Sequence, residues 1–364
     1  MIVHKGLEGI VAGESSISLV DGEKGWLVYR GHWARELAQT NSFEEVAFLL
    51  WKGRLPNPEE AVQWKAQWKE LRELPAYLRQ LIDAIPSDRP MMSVVQSAVA
   101  AIGCAPEWPP TLEQALTLTA IVPTIIAYRY RQLAGLSWTG PSAELDHTAN
   151  YLYMLHGARR QDDHVRALDA YLVLAMEHGF NASTFAGRVI ASTEAGMIPA
   201  ASGAIGAMKG PLHGGAPSAV IELLEAIGSK ERAEAQIRGI LEQGGKLMGF
   251  GHRVYKTSDP RALALREVTK RVASDDCWFK LALYVEETAL RLLEEYKPGR
   301  RLCTNVEFYA AAIMKAIGMP AELFTPTFTA SRMVGWTAHI LEQSVNNRIY
   351  RPQSAYTGSF PSSG

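Results

Sequence analysis

Long stretches from Arg166 onward carry apolar and small residues at helical spacing, and this constrains the fold more than any other feature. Ala167 to Met176 and Phe185 to Met208 read as core helices, rich in Ala and Gly where helices pack closely. Two amphipathic blocks follow, Ser218 to Leu247 and Arg261 to Tyr296. The first is charged on one side through Glu222, Glu225, Lys230, Glu231 and Arg232. Helical runs do not alternate with strands, which disfavours a Rossmann arrangement.

The beginning of the chain differs. Ile17 to Val20 and Gly25 to Arg30 flank Asp21-Gly22, the pattern of a small β-hairpin. Beyond it, Ser42 and Glu45 form a capping-box signature. Asn57-Pro58-Glu59-Glu60 supplies an N-cap, a first-turn proline and acids against the helix dipole. Pro86, Pro90, Pro106, Pro109-Pro110 and Pro141 punctuate further helices. The expected fold is all-α with a minor N-terminal β element. With 364 residues, 47% of them hydrophobic, the chain is large enough for two domains. The expected division is a smaller domain, 214–319, packed on a larger one formed by 1–213 and 320–364.

Charge and cysteine usage exclude several classes of function. Lys plus Arg total 37 against 38 for Asp plus Glu, so no strongly basic face points to nucleic acid or an anionic membrane. Cys104, Cys277 and Cys303 are isolated, which argues against a disulfide framework and a thiolate zinc site. Met1 to Gly9 is charged and lacks the apolar core of a signal peptide. No apolar run reaches the roughly 20 residues needed to span a bilayer. A cytoplasmic, metal-independent protein is the expectation.

Three segments combine helix-breaking residues with a histidine or a carboxylate. Lys209 to Pro217 sets His213 among glycines and prolines, either as a plain helix connection or as a turn that lets a ligand approach the backbone. Gly249 to Lys256, followed by Asp259-Pro260-Arg261, surrounds His252 with glycines and with the cations Arg253, Lys256 and Arg261. That suits an anion, although a solvated basic turn has the same composition and no P-loop spacing occurs. Arg300 to Tyr309 places Glu307 among apolar residues at the start of a helix, as a helix-terminal charge or as a partly desolvated base.

Together these segments resemble the citrate synthase family, and the likeness covers nearly the whole chain. The GPLHGG, GHRVYKTxDPR and NV[DE]FY segments occur in the family's order and at its separations. Gly9 to Gly31, Asn181 to Thr184, Phe324 to Gln343 and Arg348 to Pro352 are also similar to it. Within the family the chain looks most like the shorter bacterial and archaeal type. The resemblance implies condensation of acetyl-CoA with oxaloacetate and water to give citrate and CoA. The CoA thioester is then a substrate, and no cofactor is tightly bound.

On the family's pattern Glu307 is the base that removes a thioester methyl proton, and His213 donates to the thioester carbonyl. His252 polarises and protonates the oxaloacetate ketone. His178, Arg261, Arg332 and Arg351 hold the oxaloacetate carboxylates, with Arg351 reaching across an obligate homodimer. Lys256 and Arg300 are candidates for the CoA phosphates. The larger domain would carry the dimer contact and the oxaloacetate site, and the smaller would carry the CoA site and close over it.

The chain departs from the family's usual aspartate at Glu307. One extra methylene is on the order of 1 Å of reach, and a misplacement of about 1 Å costs roughly 100-fold in rate, so a slow synthase is expected unless the backbone compensates. Met176-Glu177-His178, Ala216-Pro217-Ser218 and Arg89-Pro90-Met91 depart from the pattern without removing a reactive group. Two alternatives remain: 2-methylcitrate synthase, which takes propionyl-CoA, and a catalytically impaired paralogue that binds oxaloacetate and CoA.

Overall fold

In a computed structural model, residues 3–103, 107–214, 216–252, 254–272 and 277–361 are described. Met1, Cys104, Pro106 and Arg253, named above, lie outside the described residues, as does Gly215 within Lys209 to Pro217. The chain opens with strands β1 (Ser18–Asp21), β2 (Trp26–Tyr29) and β3 (His32–Trp33). They form an antiparallel sheet in that order, with Ser18 opposite Tyr29 and Val28 opposite Trp33. The expected hairpin is therefore present, with a short third strand added. Asp21 Oδ1 closes the turn by accepting from the backbone N–H of Glu23 and Lys24.

Helices make up the rest. The first eight are α1 (Ala34–Thr40), α2 (Phe43–Lys52), α3 (Pro58–Glu70), α4 (Ala76–Ala84), α5 (Met91–Ala100), α6 (Leu112–Leu133), α7 (His147–His156) and α8 (Asp162–Ala175). They are followed by α9 (Ala182–Ala191), α10 (Met197–Met208), α11 (Ala216–Ile227), α12 (Lys230–Glu242), α13 (Pro260–Val272), α14 (Cys277–Tyr296), α15 (Val306–Ala316) and α16 (Phe324–Val345). The capping box expected at Ser42/Glu45 and the N-cap expected at Asn57 are both formed, and Asn57 proves to make a capping box with Glu60 as well, each satisfying helix-end donors. Among the described residues no helix is long and apolar enough to cross a membrane.

Two expected helical runs are each two helices. Phe185 to Met208 is interrupted where Glu194 and Gly196 take φ of 65° and 88°. A Cβ at Gly196 would lie 2.4 Å from the Glu107 carbonyl oxygen, so only glycine fits there. Ser218 to Leu247 breaks at Gly228, and Arg261 to Tyr296 is helical in α13 and α14, on either side of residues 273–276, which lie outside the described residues.

Helix α16 is the central post, with Trp336, Arg332 and His339 all buried and with α2, α6, α8, α9 and α10 packed around it. Helices α11, α13 and α14 pack against α15, and α12 packs against α14. Helices α13 and α15 in turn rest on α8. The sheet also positions the site. Its turn residue Gly22 accepts from the Lys256 N–H at 2.9 Å, and a Cβ at Gly22 would meet the Val254 carbonyl oxygen at 2.1 Å.

Candidate active site

The loop after α12 and the segment before α15 are zipped together. Gly251 N–H donates to the Cys303 carbonyl at 2.7 Å, and Asn305 N–H donates to Gly249 at 2.9 Å. Asn305 Nδ2 donates to the Gly251 carbonyl at 2.9 Å. This carries His252 and Glu307 on neighbouring strips of backbone. Gly249 has φ of 87°, and a side chain there would strike Phe308, which explains a glycine at this crossing.

Hydrogen bonding fixes the tautomer of His252. Its Nδ1 lies 3.0 Å from the backbone N–H groups of both Val254 and Tyr255, so it accepts and the proton sits on Nε2. Arg261 Nη2 is 3.2 Å from that Nε2, and arginine only donates. The two donors therefore converge where one oxygen could accept from both, an oxyanion-type arrangement. Burial and the charge of Arg261 push the His252 pKa down to about 4, so the ring is neutral at neutral pH.

Arg261 is buried and bound by Asp259, at 3.0 Å from Nε to Oδ1 and 2.8 Å from Nη2 to Oδ2. The same Oδ2 accepts the N–H of Val306, the first residue of α15, at 3.1 Å. One buried carboxylate thus ties the arginine to the helix end that carries Glu307. The Glu307 side chain is half-buried in the first turn of α15, with Oε2 shielded and without a hydrogen-bond partner among the described residues. Burial raises its pKa, and the nearby Arg261 offsets part of that rise.

His178 follows α8, and its ring centroid is 5.8 Å from that of His252. Its Nε2 is 3.1 Å from the Tyr255 hydroxyl. Burial, together with the positive charge of Arg261 and Arg332, holds its pKa well below the ordinary histidine value. Glu177 braces this turn through Oε1, which accepts from Ser18 Oγ at 2.9 Å and His339 Nε2 at 3.1 Å. Arg332 is buried in α16, with Nε donating to the Ala175 carbonyl at 2.7 Å and its guanidinium over the Phe328 ring.

His213 sits on the turn after α10, edge-on to the same Phe328 ring. Its Nε2 is 2.7 Å from Ser183 Oγ, which also accepts from Trp336 Nε1 at 3.0 Å. Ser183 Oγ is also 2.8 Å from Asn181 Oδ1, which only accepts; when the serine proton turns from that oxygen to Nε2, the imidazole proton is on Nδ1, which becomes the donor available to a ligand. Burial first, and then Arg332, push the His213 pKa down to about 4.

The sequence-derived candidates thus separate into groups. His252, Arg261 and His178 are joined by direct contacts, Asp259 links Arg261 to the helix of Glu307, and Phe328 links Arg332 to His213. Arg351 is not among them: it is exposed beyond α16 and lines a cleft of about 1010 Å³ with Arg348, Arg188 and Glu342. Lys256 is exposed and lines a cleft of about 360 Å³ with Arg301 and Cys303. Arg300 is exposed beside that cleft, and its neighbour Arg301 is the arginine that lines it. Asp259, Ser183, Tyr255 and Phe328 were not singled out from sequence. All four stand in segments that resemble the family, and Asp259, two residues before a candidate arginine, also carried a local signal.

Known proteins share this architecture. A family model described as "Citrate synthase, C-terminal domain" matches residues 6–353. The chain is 38% identical to the 2-methylcitrate synthase of Shewanella oneidensis, over 98% of this chain and 95% of that protein. It is 37% identical to citrate synthase 2 of Bacillus subtilis, over 98% and 96%. Among solved structures, the citrate synthase of Pyrobaculum aerophilum superposes with a TM-score of 0.91 at 37% identity, covering 100% of this chain and 94% of that one. The enzyme of Thermoplasma acidophilum, solved with carboxymethyl coenzyme A and oxaloacetate, gives a TM-score of 0.90 at 26% identity, over 100% and 98%. By sequence and by architecture, this chain belongs to the citrate synthase family.

Proposed function

We propose that the protein condenses acetyl-CoA with oxaloacetate and hydrolyses the resulting citryl thioester to citrate and CoA. The observation that carries this reading is the donor pair of His252 Nε2 and Arg261 Nη2, 3.2 Å apart, tied through Asp259 to the helix that bears Glu307. A ketone oxygen held by that pair is polarised for attack. The Glu307 carboxylate takes a proton from the thioester methyl group while His213 Nδ1–H donates to the thioester oxygen. The resulting enolate carbon bonds to the ketone carbon, and the His252 Nε2 proton passes to the former ketone oxygen. Water then cleaves the thioester.

His178, Arg261 and Arg332 bind the oxaloacetate carboxylates, the arginines as planar forks. The exposed position of Arg351 suits a side chain that serves the site of a second subunit in a homodimer. Lys256 and Arg300 serve the CoA phosphates from the rim. Residues 214–319 form the smaller domain, which closes over 1–213 and 320–364 to exclude water. The protein acts in the cytoplasm. Oxaloacetate-dependent release of thiol from acetyl-CoA tests this reading, and binding of both substrates without thiol release would favour the impaired paralogue.

The similarity to the 2-methylcitrate synthase of Shewanella oneidensis supports a second reading, with propionyl-CoA as the acyl donor. One methylene in an acyl pocket shifts selectivity by about 1–3 kcal/mol. The ratio of kcat/KM for the two thioesters decides between them.

A further inference from the structure

Glu286 lies on the buried side of α14, away from the substrate-binding groups, and its carboxylate accepts two hydroxyl protons. Thr304 Oγ1 donates to Oε1 at 2.7 Å, and the Tyr309 hydroxyl donates to Oε2. Arg266 of α13 lies 3.4 Å from Oε2 and balances the charge. Thr304 stands three residues before Glu307 and Tyr309 two residues after it. A single side chain from another helix therefore grips the base-bearing segment on both sides of the base. Among the described residues, the Gly249–Gly251 backbone and the Asp259 carboxylate also anchor this segment.

We infer that Glu286 is a positioning residue for Glu307, fixing the first turn of α15 so that the carboxylate meets the thioester methyl. The inference rests on the proposed role of Glu307 as base. A glutamate base has one more rotatable bond than an aspartate, so its aim depends more heavily on how its backbone is held. Burial and the adjoining Glu286 charge raise the Tyr309 pKa, so that its hydroxyl stays protonated and keeps donating.

Full-length Glu286→Gln and Tyr309→Phe variants test the inference. In each, kcat is divided by the number of oxaloacetate-binding sites counted by calorimetry, so that loss of folded protein does not register. Per-site kcat is expected to fall about 10-fold or more for Glu286→Gln and severalfold for Tyr309→Phe, with the KM for oxaloacetate held within about twofold. If Glu286→Gln does not fold, Tyr309→Phe carries the same test. Unchanged per-site kcat, or a KM for oxaloacetate that rises while kcat holds, overturns the inference while leaving the proposed function standing. Absence of oxaloacetate-dependent CoA release by the unaltered protein overturns both.

Discussion

Asp259 binds Arg261 through both carboxylate oxygens and also accepts the N–H of Val306, so this arginine and the N-terminus of α15 share one buried anchor. Removing one partner of a buried charge pair leaves the other uncompensated, at a cost on the order of 3 kcal/mol or more. Asp259→Asn is expected to lower kcat/KM for oxaloacetate by about 100-fold while the far-UV spectrum stays native. A loss of only a fewfold would mean that Arg261 is held in place by other contacts.

The pH dependence of kcat should be set by Glu307. The carboxylate must be ionised to accept the methyl proton, so the rate falls as pH drops through its pKa. Burial raises that pKa above the ordinary glutamate value, whereas His213 and His252 titrate near 4 and stay neutral above about pH 5. A single acid limb is expected in the profile. Glu307→Asp should retain that limb and raise kcat, because it shortens the side chain to the family's usual length. A clear fall in kcat would show that this site has adapted to glutamate.

Arg351 gives a test of assembly. If it completes the partner's site, Arg351→Ala and Glu307→Gln homodimers are each impaired, but a mixed dimer contains one intact site. Coexpression in equal amounts is expected to restore about a quarter of native activity, given random pairing of subunits. No recovery in the mixture would place Arg351 outside the partner's site.

Asp169, far from these residues in function, should shape stability. Burial and the neighbouring Glu44 push its pKa up to about 7, so the folded state keeps a proton that the unfolded chain releases near pH 4. Stability from this group is greatest below about pH 4 and declines as pH rises towards 7. Asp169→Asn keeps an acceptor for Thr148 and Phe43 but cannot ionise. The variant is expected to lose the decline, of order 1 kcal/mol per pH unit, and to melt higher than the native protein at pH 8. An unchanged Tm-versus-pH curve would contradict this.

The parts of the fold set by local chemistry were legible from the sequence. Ser42 with Glu45 and Asn57 with Glu60 determine their own helix starts within a few residues. His213, His252 and Glu307 stood out because glycine, proline or a helix start accompanies each one. What could not be read depends on distant contacts. At Gly196 the chain meets the Glu107 carbonyl, a distant contact that Gly196 and Pro199 do not reveal even though they mark an interruption within Phe185 to Met208. Likewise, Ser183 orients His213 across thirty positions of chain, and Glu286 grips Thr304 and Tyr309 from another helix.

The most direct measurement is thiol release from acetyl-CoA by the unaltered protein and by Glu307→Gln, each with and without oxaloacetate. The unaltered protein is expected to release CoA only when oxaloacetate is present, and the variant to lose about 10²–10⁴-fold in kcat, the range for a general base. Oxaloacetate-independent release, no release at all, or a Glu307→Gln variant that stays active would contradict the account.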